Sequence, residues 1–161
     1  MSFVHTKMIA YNSPVGELHI YFNENAITGL YFSGGRHKLP ACPVVVAHAE
    51  TPVIKQAIDE LDRYFAGKLC MFMVPIEMEG TPFQKAVWGR LLQVGFGETN
   101  TYANIAKEIG KPNAARAVGG AVGKNPISII VPCHRIVGTN GTLTGFAGGV
   151  DAKNYLLVHE Q

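Results

Sequence analysis

Thr101-Tyr-Ala-Asn-Ile-Ala-Lys-Glu-Ile-Gly-Lys-Pro-Asn-Ala-Ala-Arg-Ala-Val-Gly-Gly-Ala-Val122 is the segment that says most about the fold. Its apolar spacing predicts a helix from about Thr101 to Ile109, which Gly110 ends, and a second helix from Ala114 to Val122. Two short helices separated by a tight turn are typical of the helix-turn-helix of DNA-binding proteins. An ordinary helical hairpin has the same pattern, so this segment alone leaves both interpretations open.

The second of these helices is poor in large side chains, Arg116 excepted. Glycine costs about 1 kcal/mol per position inside a helix, so Gly119 and Gly120 need a compensating reason. One reason is close packing against another helix. The other is that a slim helix fits against the minor groove of DNA, which is only about 6 Å wide, while Arg116 projects into the duplex.

Upstream of this segment the sequence predicts a third helix and a domain boundary. Thr81-Pro82 is typical of an N-cap followed by a first-turn proline, and apolar residues at helical spacing follow until Gly95. Glu77-Met-Glu-Gly80 separates this helix from the preceding part of the chain. We therefore predict an N-terminal domain over residues 1–79 and a C-terminal domain over residues 80–161.

The N-terminal half has the pattern of a small α/β domain. Short β-prone runs at residues 7–11, 17–22 and 26–32 predict three strands. Helical spacing over residues 53–65 predicts one amphipathic helix. The apolar run over residues 71–76 predicts a last strand that closes the sheet.

Composition and charge narrow the class of protein. The 161 residues are 47% hydrophobic and 16% charged, which favours a folded soluble protein over a disordered one. The apolar runs are too short to cross a bilayer, and the first residues lack the pattern of a signal peptide. Residues 1–79 carry six Lys/Arg against eight Asp/Glu, whereas residues 80–161 carry eight against four. Of the two halves, the C-terminal one is therefore where a polyanion would be expected to bind.

The chemistry is concentrated in Asn125-Pro-Ile-Ser-Ile-Ile-Val-Pro-Cys-His-Arg-Ile-Val137, an apolar, β-prone run that Pro132 interrupts. Neighbouring positive charge favours the thiolate of Cys133, whose unperturbed pKa is about 8.5, and His134 is the obvious base. Adjacent residues of an extended chain point to opposite faces. A bridging water or a turn after Pro132 is therefore needed to bring thiol and imidazole together.

A carboxylate on the other nitrogen of His134 would complete a triad, and the last predicted helix offers Asp151 and Glu160. From these residues alone, a cysteine hydrolase and a thiol redox sensor are alternatives. The hydrolase also needs an oxyanion hole, and the sensor has no identified resolving partner. Cys42 and Cys70 are interpreted as small buried residues, and the absence of paired cysteine spacing indicates a reducing, intracellular compartment.

Pro132-Cys-His-Arg-Ile-Val137 resembles the active-site signature of the O6-alkylguanine-DNA alkyltransferases. The likeness continues through the C-terminal half in the family's order and extends more weakly into the N-terminal half. The matching stretches are Gly80–Trp88, Gly97–Thr99, Tyr102–Ala106, Ala114–Ala121, Asn125-Pro126, Gly145–Gly149, Leu156–Glu160, Ser13–Gly16 and Leu61–Gly67.

The resemblance implies an α/β protein with a ribonuclease-H-like N-terminal domain and a winged-helix-like C-terminal domain that contains the helix-turn-helix. It implies direct reversal of O6-alkylguanine, and of O4-alkylthymine, in double-stranded DNA bound through the minor groove. The base is flipped out and its alkyl group moves irreversibly to the protein, once per molecule. A monomer without cofactor or membrane association is expected, in the cytoplasm or, in a eukaryote, the nucleus. A non-catalytic binder of alkylated DNA is the alternative, which Cys133 disfavours because such relatives lack the cysteine.

The resemblance also implies roles for individual residues. Cys133 would accept the alkyl group, His134 would take its proton through a water, and Glu160 would orient the imidazole. Asn125 would brace the active-site turn, and Tyr102 would donate a hydrogen bond to the leaving guanine. The implied DNA contacts are Arg116, which fills the space left by the flipped nucleotide, and Thr101, Ala114, Ala115, Ala117 and Gly119. The implied pocket residues are Val137, Phe146, Ala147, Gly148 and Lys153, while Arg135 is expected in a structural or DNA-backbone role.

Some members of that family bind zinc in the N-terminal domain. The candidate ligands in this sequence lack the close spacing of a zinc site, so we predict no metal. These residues are His5, His19, His37, Cys42, His48 and Cys70.

Overall fold

The N-terminal half is built on a three-stranded antiparallel sheet. The structure is a computed structural model that describes residues 7–41, 44–143 and 145–161. Strands β1 (Lys7–Ser13), β2 (Gly16–Phe22) and β3 (Ile27–Phe32) lie in that order. The β1–β2 turn places Gly16 at a φ of 105°, a conformation that favours glycine. The three predicted strands are confirmed.

Helix α1 (Pro52–Phe65) covers this sheet and packs against β3. Thr51 precedes it and a proline occupies its first turn, where a missing N–H costs nothing. Its apolar face is buried and comprises Val53, Ile54, Ala57, Leu61 and Tyr64. The helix predicted from the apolar spacing is confirmed.

The strand predicted over residues 71–76 is wrong. This segment, all of which the structure describes, is irregular apart from a single parallel bridge between Ile76 and Ile27. Glu60 explains the difference, because its buried carboxylate accepts the backbone N–H groups of Met73 at 2.8 Å and Val74 at 3.0 Å. Amides that bond a side chain are not available to a strand ladder.

The C-terminal half is mainly helical. Helix α2 (Pro82–Leu91) begins with a capping box between Thr81 and Gln84. Helices α3 (Tyr102–Glu108) and α4 (Ala115–Gly123) pack against each other, and α2 packs against α4. The two helices predicted from the segment quoted first are confirmed. Strands β4 (Asn100–Thr101) and β5 (Ile136–Val137) form one short parallel pair, and α5 (Val150–His159) follows.

The two glycines inside α4 do not serve close helix packing. A Cβ built at Gly120 meets no atom within 4 Å, and one built at Gly119 meets only the Tyr102 ring, at an ordinary contact distance of 3.7 Å. Packing therefore does not explain why glycine stands here. The other interpretation, a surface kept slim for a partner, is the one that the structure leaves open.

The two halves share one hydrophobic core and meet along β3. The N–H of Leu30 donates to the Pro126 carbonyl at 2.9 Å, and the N–H of Ser128 donates to the Leu30 carbonyl at 3.1 Å. The rings of Phe32 and Phe146 meet edge to face at 5.4 Å. The segment before Cys133 is thus held against the N-terminal sheet.

Two findings concern membranes and metals. Within the ranges that the structure describes, none of the helices combines the length and the apolar character needed to span a bilayer. The same residues contain no group of three or more His, Cys, Asp or Glu side chains arranged to hold a metal ion. His5 and Cys42, two of the residues considered as ligands, lie outside the described residues.

Candidate active site

Cys133 opens a single turn of 3₁₀ helix, Cys133–Arg135, directly after Pro132. The preceding apolar run does not form the strand that its composition favours. Ile129 has a φ of 72°, which is rare for a β-branched residue and marks local strain close to the site. A turn after Pro132 was one of the two arrangements expected to bring the Cys133 thiol and the His134 imidazole together, the other being a bridging water.

Asn125 ties this turn together from inside. Its side-chain amide donates to the Val131 carbonyl at 2.8 Å, and its side-chain oxygen accepts the N–H of Ile127 at 3.0 Å. Asn125 is 2% exposed and also hydrogen-bonds the Cys133 thiol. A single buried amide therefore fixes both ends of the strained segment and reaches the sulfur.

The Cys133 thiol is buried, at 4% exposure. Burial raises its pKa, while the hydrogen bonds from Asn125 and Ser128 and the charge of Lys153 act in the opposite direction. The resting thiol is therefore protonated and needs a base when it reacts. Cys70, the other described cysteine, is exposed, so its interpretation as a buried residue is wrong; Cys42 lies outside the described residues.

His134 is fully buried and pairs with Glu160, not with Asp151. Its Nε2 lies 2.8 Å from Glu160 Oε2, whereas Asp151 is exposed in the first turn of α5. Burial lowers the pKa of His134 despite the carboxylate, so the imidazole is neutral. With Nε2–H donating to Glu160, Nδ1 carries the lone pair, and among the described atoms it has no hydrogen-bond partner.

Glu160 is held by residues from both halves of the protein. Arg135 donates from Nε to Oε1 at 2.8 Å and from Nη2 to Oε2 at 3.0 Å, and the Tyr64 hydroxyl donates to Oε2 at 2.6 Å. Burial acts to raise the pKa of Glu160, but its hydrogen bonds to His134, Arg135 and Tyr64 outweigh burial and hold it well below the ordinary range. The carboxylate is therefore charged.

Arg135 has a structural role. It is 7% exposed, its Nη1 donates to the Val94 carbonyl at 2.6 Å, and its guanidinium lies over the Phe96 ring, 5.9 Å from the ring centroid. A side chain so enclosed does not reach a DNA backbone, so that part of the expectation is wrong. The contacts of Arg135 and Tyr64 with Glu160 were not predicted, and the sequence carries no local signal for the one to Tyr64.

A small cavity of about 10 Å³, enough for about one water molecule, lies beside Cys133. This volume alone is smaller than a purine base. The lining residues are His37, Val122, Gly123, Asn125, Ser128, Cys133, Gly145, Phe146 and Ala147.

Three of the five expected pocket residues, Val137, Gly148 and Lys153, are not among the residues that line this cavity. Val137 lines a separate cleft near Glu160. Gly148 packs against the ring of Phe32, where a Cβ would come within 2.8 Å. Lys153 is buried and donates from Nζ to the Ile136 carbonyl at 2.5 Å, with its charge acting on Cys133. Phe146 and Ala147 do line the cavity, and so does His37, which the sequence did not indicate.

A larger open cleft of about 740 Å³ leads to this cavity, because His37, Gly123, Gly145 and Ala147 line both. The other lining residues are Arg36, Tyr102, Ala115, Arg116, Gly119 and Lys124. The cleft that adjoins the Cys133 cavity is thus lined by Tyr102 and by three cationic side chains. Arg36 comes from the N-terminal half and was not predicted from the sequence.

The remaining expected DNA contacts lie at helix ends or beside the cleft. Thr101 caps α3 by accepting the N–H of Asn104 at 3.1 Å, and Ala114 stands at the N-cap of α4. Ala117 is exposed on α4. Among the described residues these three do not line the cleft.

The chain is similar to one family along most of its length. Residues 7–78 match the family described as "6-O-methylguanine DNA methyltransferase, ribonuclease-like domain", and residues 82–161 match "6-O-methylguanine DNA methyltransferase, DNA binding domain". Methylated-DNA–protein-cysteine methyltransferases from Methanosarcina acetivorans and Haemophilus influenzae are each 45% identical to it. The match to the first relative covers 91% of this chain and 93% of that protein. The match to the second covers 94% of this chain and 84% of that protein. A crystal structure of Mycobacterium tuberculosis OGT in complex with DNA superimposes with a TM-score of 0.89 at 41% identity, covering 96% of this chain and 92% of that one.

Proposed function

Because the chain belongs to the family of methylated-DNA–protein-cysteine methyltransferases, we propose that Cys133 is the cysteine that accepts the alkyl group. The protein repairs DNA by alkyl transfer. The observation that carries the assignment is the buried turn in which Cys133 adjoins a histidine paired with a charged carboxylate at 2.8 Å. Exposed Cys70 has no comparable setting.

The proposed reaction is a displacement at the alkyl carbon. Neutral His134 takes the thiol proton of Cys133 at Nδ1 through a water, and the sulfur attacks the carbon attached to O6 of guanine. A carbon–sulfur bond forms, the carbon–oxygen bond breaks, and its electron pair stays with the guanine. Tyr102 donates a hydrogen bond to a ring nitrogen of the leaving base, and Lys153 favours the thiolate by its charge. The product is a thioether that water does not reverse, so each molecule reacts once.

We propose that duplex DNA lies along the cleft with α4 against its minor groove. A Cβ at Gly120 or Gly123 of α4 would meet open space, and the cleft is lined by cations from both halves, Arg36, Arg116 and Lys124. A stacked base cannot reach a buried thiol, so the alkylated base has to be flipped into the Cys133 cavity. Arg116 would fill the vacated position in the stack.

We also propose that the protein acts as a monomer in a reducing compartment, the cytoplasm or, in a eukaryote, the nucleus. Residues of a single chain line both the cleft and the cavity. The acceptor thiol has to stay reduced to react, which a reducing compartment ensures.

Peptide mapping after reaction tests the assignment of the acceptor. The protein is incubated with a duplex that contains O6-methylguanine, beside an unmodified duplex as control, and its intact mass is measured. We expect a gain of one methylene, saturating at one per molecule and located in the peptide that contains Cys133. A methyl group in the Cys70 peptide, or a second methyl on further incubation, would contradict the proposal.

Arg116→Ala is expected to slow methyl transfer more than it weakens DNA binding. Keeping a nucleotide flipped costs a few kcal/mol of unstacking, so loss of the side chain that replaces it should lower the single-turnover rate roughly 10- to 100-fold. Lys124→Ala is the matched control from the same cleft. It should only weaken DNA binding and should reduce by about 1 the slope of the logarithm of the binding constant against the logarithm of the salt concentration. Equal effects of the two substitutions on the rate at saturating DNA would argue against a role for Arg116 in flipping.

Gly120→Ala is expected to stabilise the protein and to weaken DNA binding. Alanine gains about 1 kcal/mol over glycine in a helix interior, and the added methyl meets no protein atom within 4 Å. That methyl would instead stand on the face proposed to meet the groove. Gly89→Ala in α2 is the control, since it also adds a methyl in open space, and urea unfolding with DNA titration measures both. DNA binding equal to that of the parent would show that this face of α4 does not meet DNA.

A further inference from the structure

We propose that Tyr64, a residue of the N-terminal half, is a positioning residue for the His134–Glu160 pair. The inference rests on the proposed role of that pair in activating Cys133. Tyr64 lies in the last turn of α1, is 1% exposed, and reaches a carboxylate that follows it by 96 positions in the sequence. Arg135, the other side chain that donates to Glu160, and His134 itself both belong to the C-terminal half.

The Tyr64 hydroxyl donates directly to the Glu160 oxygen that accepts the imidazole proton. Glu160 Oε2 is shared by the Tyr64 hydroxyl at 2.6 Å, His134 Nε2 at 2.8 Å and Arg135 Nη2 at 3.0 Å. The phenol makes the shortest of these contacts, and a hydroxyl donating to a carboxylate forms one of the strong, charge-assisted hydrogen bonds. Because Tyr64 and His134 donate to the same oxygen, the phenol helps to set where the imidazole points.

Tyr64 also fixes the end of α5. Glu160 stands at the C-cap, immediately after His159, where a helix runs out of internal hydrogen bonds and frays. His159 Nε2 donates to the Tyr64 carbonyl at 2.7 Å, and the two rings lie 5.2 Å apart. The carbonyl and the hydroxyl of one residue therefore hold two successive residues at this helix end.

The Tyr64 phenol also affects the protonation of the His134 imidazole, through the charge of Glu160. A neutral His134 is required to take a proton, and the Glu160 carboxylate favours the protonated form. Donation from Tyr64 satisfies part of the carboxylate's charge and so weakens its attraction for a second proton on the imidazole. Burial raises the pKa of Tyr64, so the phenol remains a donor throughout. The other titratable or charged groups that face His134, Glu160 or Tyr64 are Arg135, Lys153, Cys133, His159 and Tyr155.

The pH dependence of a single turnover tests the proposal. Tyr64→Phe removes the hydroxyl and keeps the ring, and Tyr11→Phe is the matched control, because Tyr11 on β1 donates to Asp62 of α1 at the same 2.6 Å but in an exposed position. Methyl transfer from duplex DNA containing O6-methylguanine is measured between about pH 5 and about pH 9. In Tyr64→Phe the acid limb is expected to move up by about one pH unit, a tenfold slower reaction on the acidic side. An acid limb that stays in place in Tyr64→Phe, or moves equally in Tyr11→Phe, overturns the proposal.

A second variant preserves the test if Tyr64→Phe folds poorly. Site-specific 3-fluorotyrosine at position 64 keeps the shape of the side chain and is a stronger donor, so the acid limb should move to lower pH. No shift, or a shift to higher pH, overturns the proposal. His134→Gln separates the two levels of inference. If it reacts as fast as the parent, the proposed base is wrong; if it is slow while Tyr64→Phe retains the parental pH profile, only the role of Tyr64 is wrong.

Discussion

Cys133→Ser is expected to abolish methyl transfer while leaving DNA binding intact. A hydroxyl at this position is nearly the same size as the thiol but a far weaker nucleophile near neutral pH, so the single-turnover rate should fall by at least about 1,000-fold. The cleft that carries the cationic side chains is not lined by Cys133. Intact-mass analysis after incubation with an O6-methylguanine duplex measures the transfer, and a filter or fluorescence titration measures the binding.

Cys70→Ser is the matched control for this prediction. Cys70 is also a free thiol, and because it is exposed it is open to reagents that do not reach Cys133. We expect the Cys70 variant to gain one methyl group at the parental rate. Methyl transfer that survives in Cys133→Ser and disappears in Cys70→Ser would show that Cys70, and not Cys133, accepts the methyl group.

Glu160→Gln is expected to destabilise the fold by about 3–5 kcal/mol at neutral pH. The substitution leaves the buried Arg135 guanidinium without its counter-charge, and removing one partner of a buried ion pair has a cost of this order. For a chain of this length the loss corresponds to roughly 10 °C in Tm. Asp59→Asn is the control, because the Asp59–Arg63 pair is exposed and should contribute less than about 1 kcal/mol.

The same carboxylate predicts how stability depends on pH. The pKa of Glu160 in the folded protein lies below its ordinary value of 4.5, chiefly because the hydrogen bonds of His134 and Arg135 outweigh burial. The stabilisation is therefore complete above pH 4.5 and is lost as the pH falls below it, when the unfolded chain binds the proton first. Thermal unfolding from pH 7 to pH 3 should show a smaller acid-induced loss in Glu160→Gln than in the parent. An identical acid profile would contradict the depressed pKa.

Local pattern was sufficient wherever a structural signal lies within a few residues. The strands of the N-terminal sheet, α1 and the α3–α4 pair follow from periodicity. The partner of His134 is 26 positions away, and there the residues alone left Asp151 and Glu160 open, while the family resemblance indicated Glu160. The errors arose where a distant or unusual contact overrides the pattern. Glu60 takes the amides that a strand over residues 71–76 would need, and the positive φ of Ile129 interrupts a run that its composition assigns to a strand.

The site residues that the sequence missed come mostly from the other half of the chain. Arg36 and His37 follow β3 without any motif, yet they form walls of the cleft and of the cavity. Tyr64 occupies a position on the apolar face of the amphipathic helix α1. Its hydroxyl group adds nothing to the periodic pattern from which the helix was predicted. Such contacts depend on how the two halves of the protein dock. The hydrophobic pattern within either half carries no information about that docking.

The hydrogen bond between Tyr64 and Glu160 also has a consequence for folding. Its two residues are separated by 96 positions, so the bond requires the closure of a long loop. The proton-accepting pair is thus completed when both halves are in place. The N-terminal half therefore holds the Glu160 carboxylate, and through it His134, only once the two halves have docked.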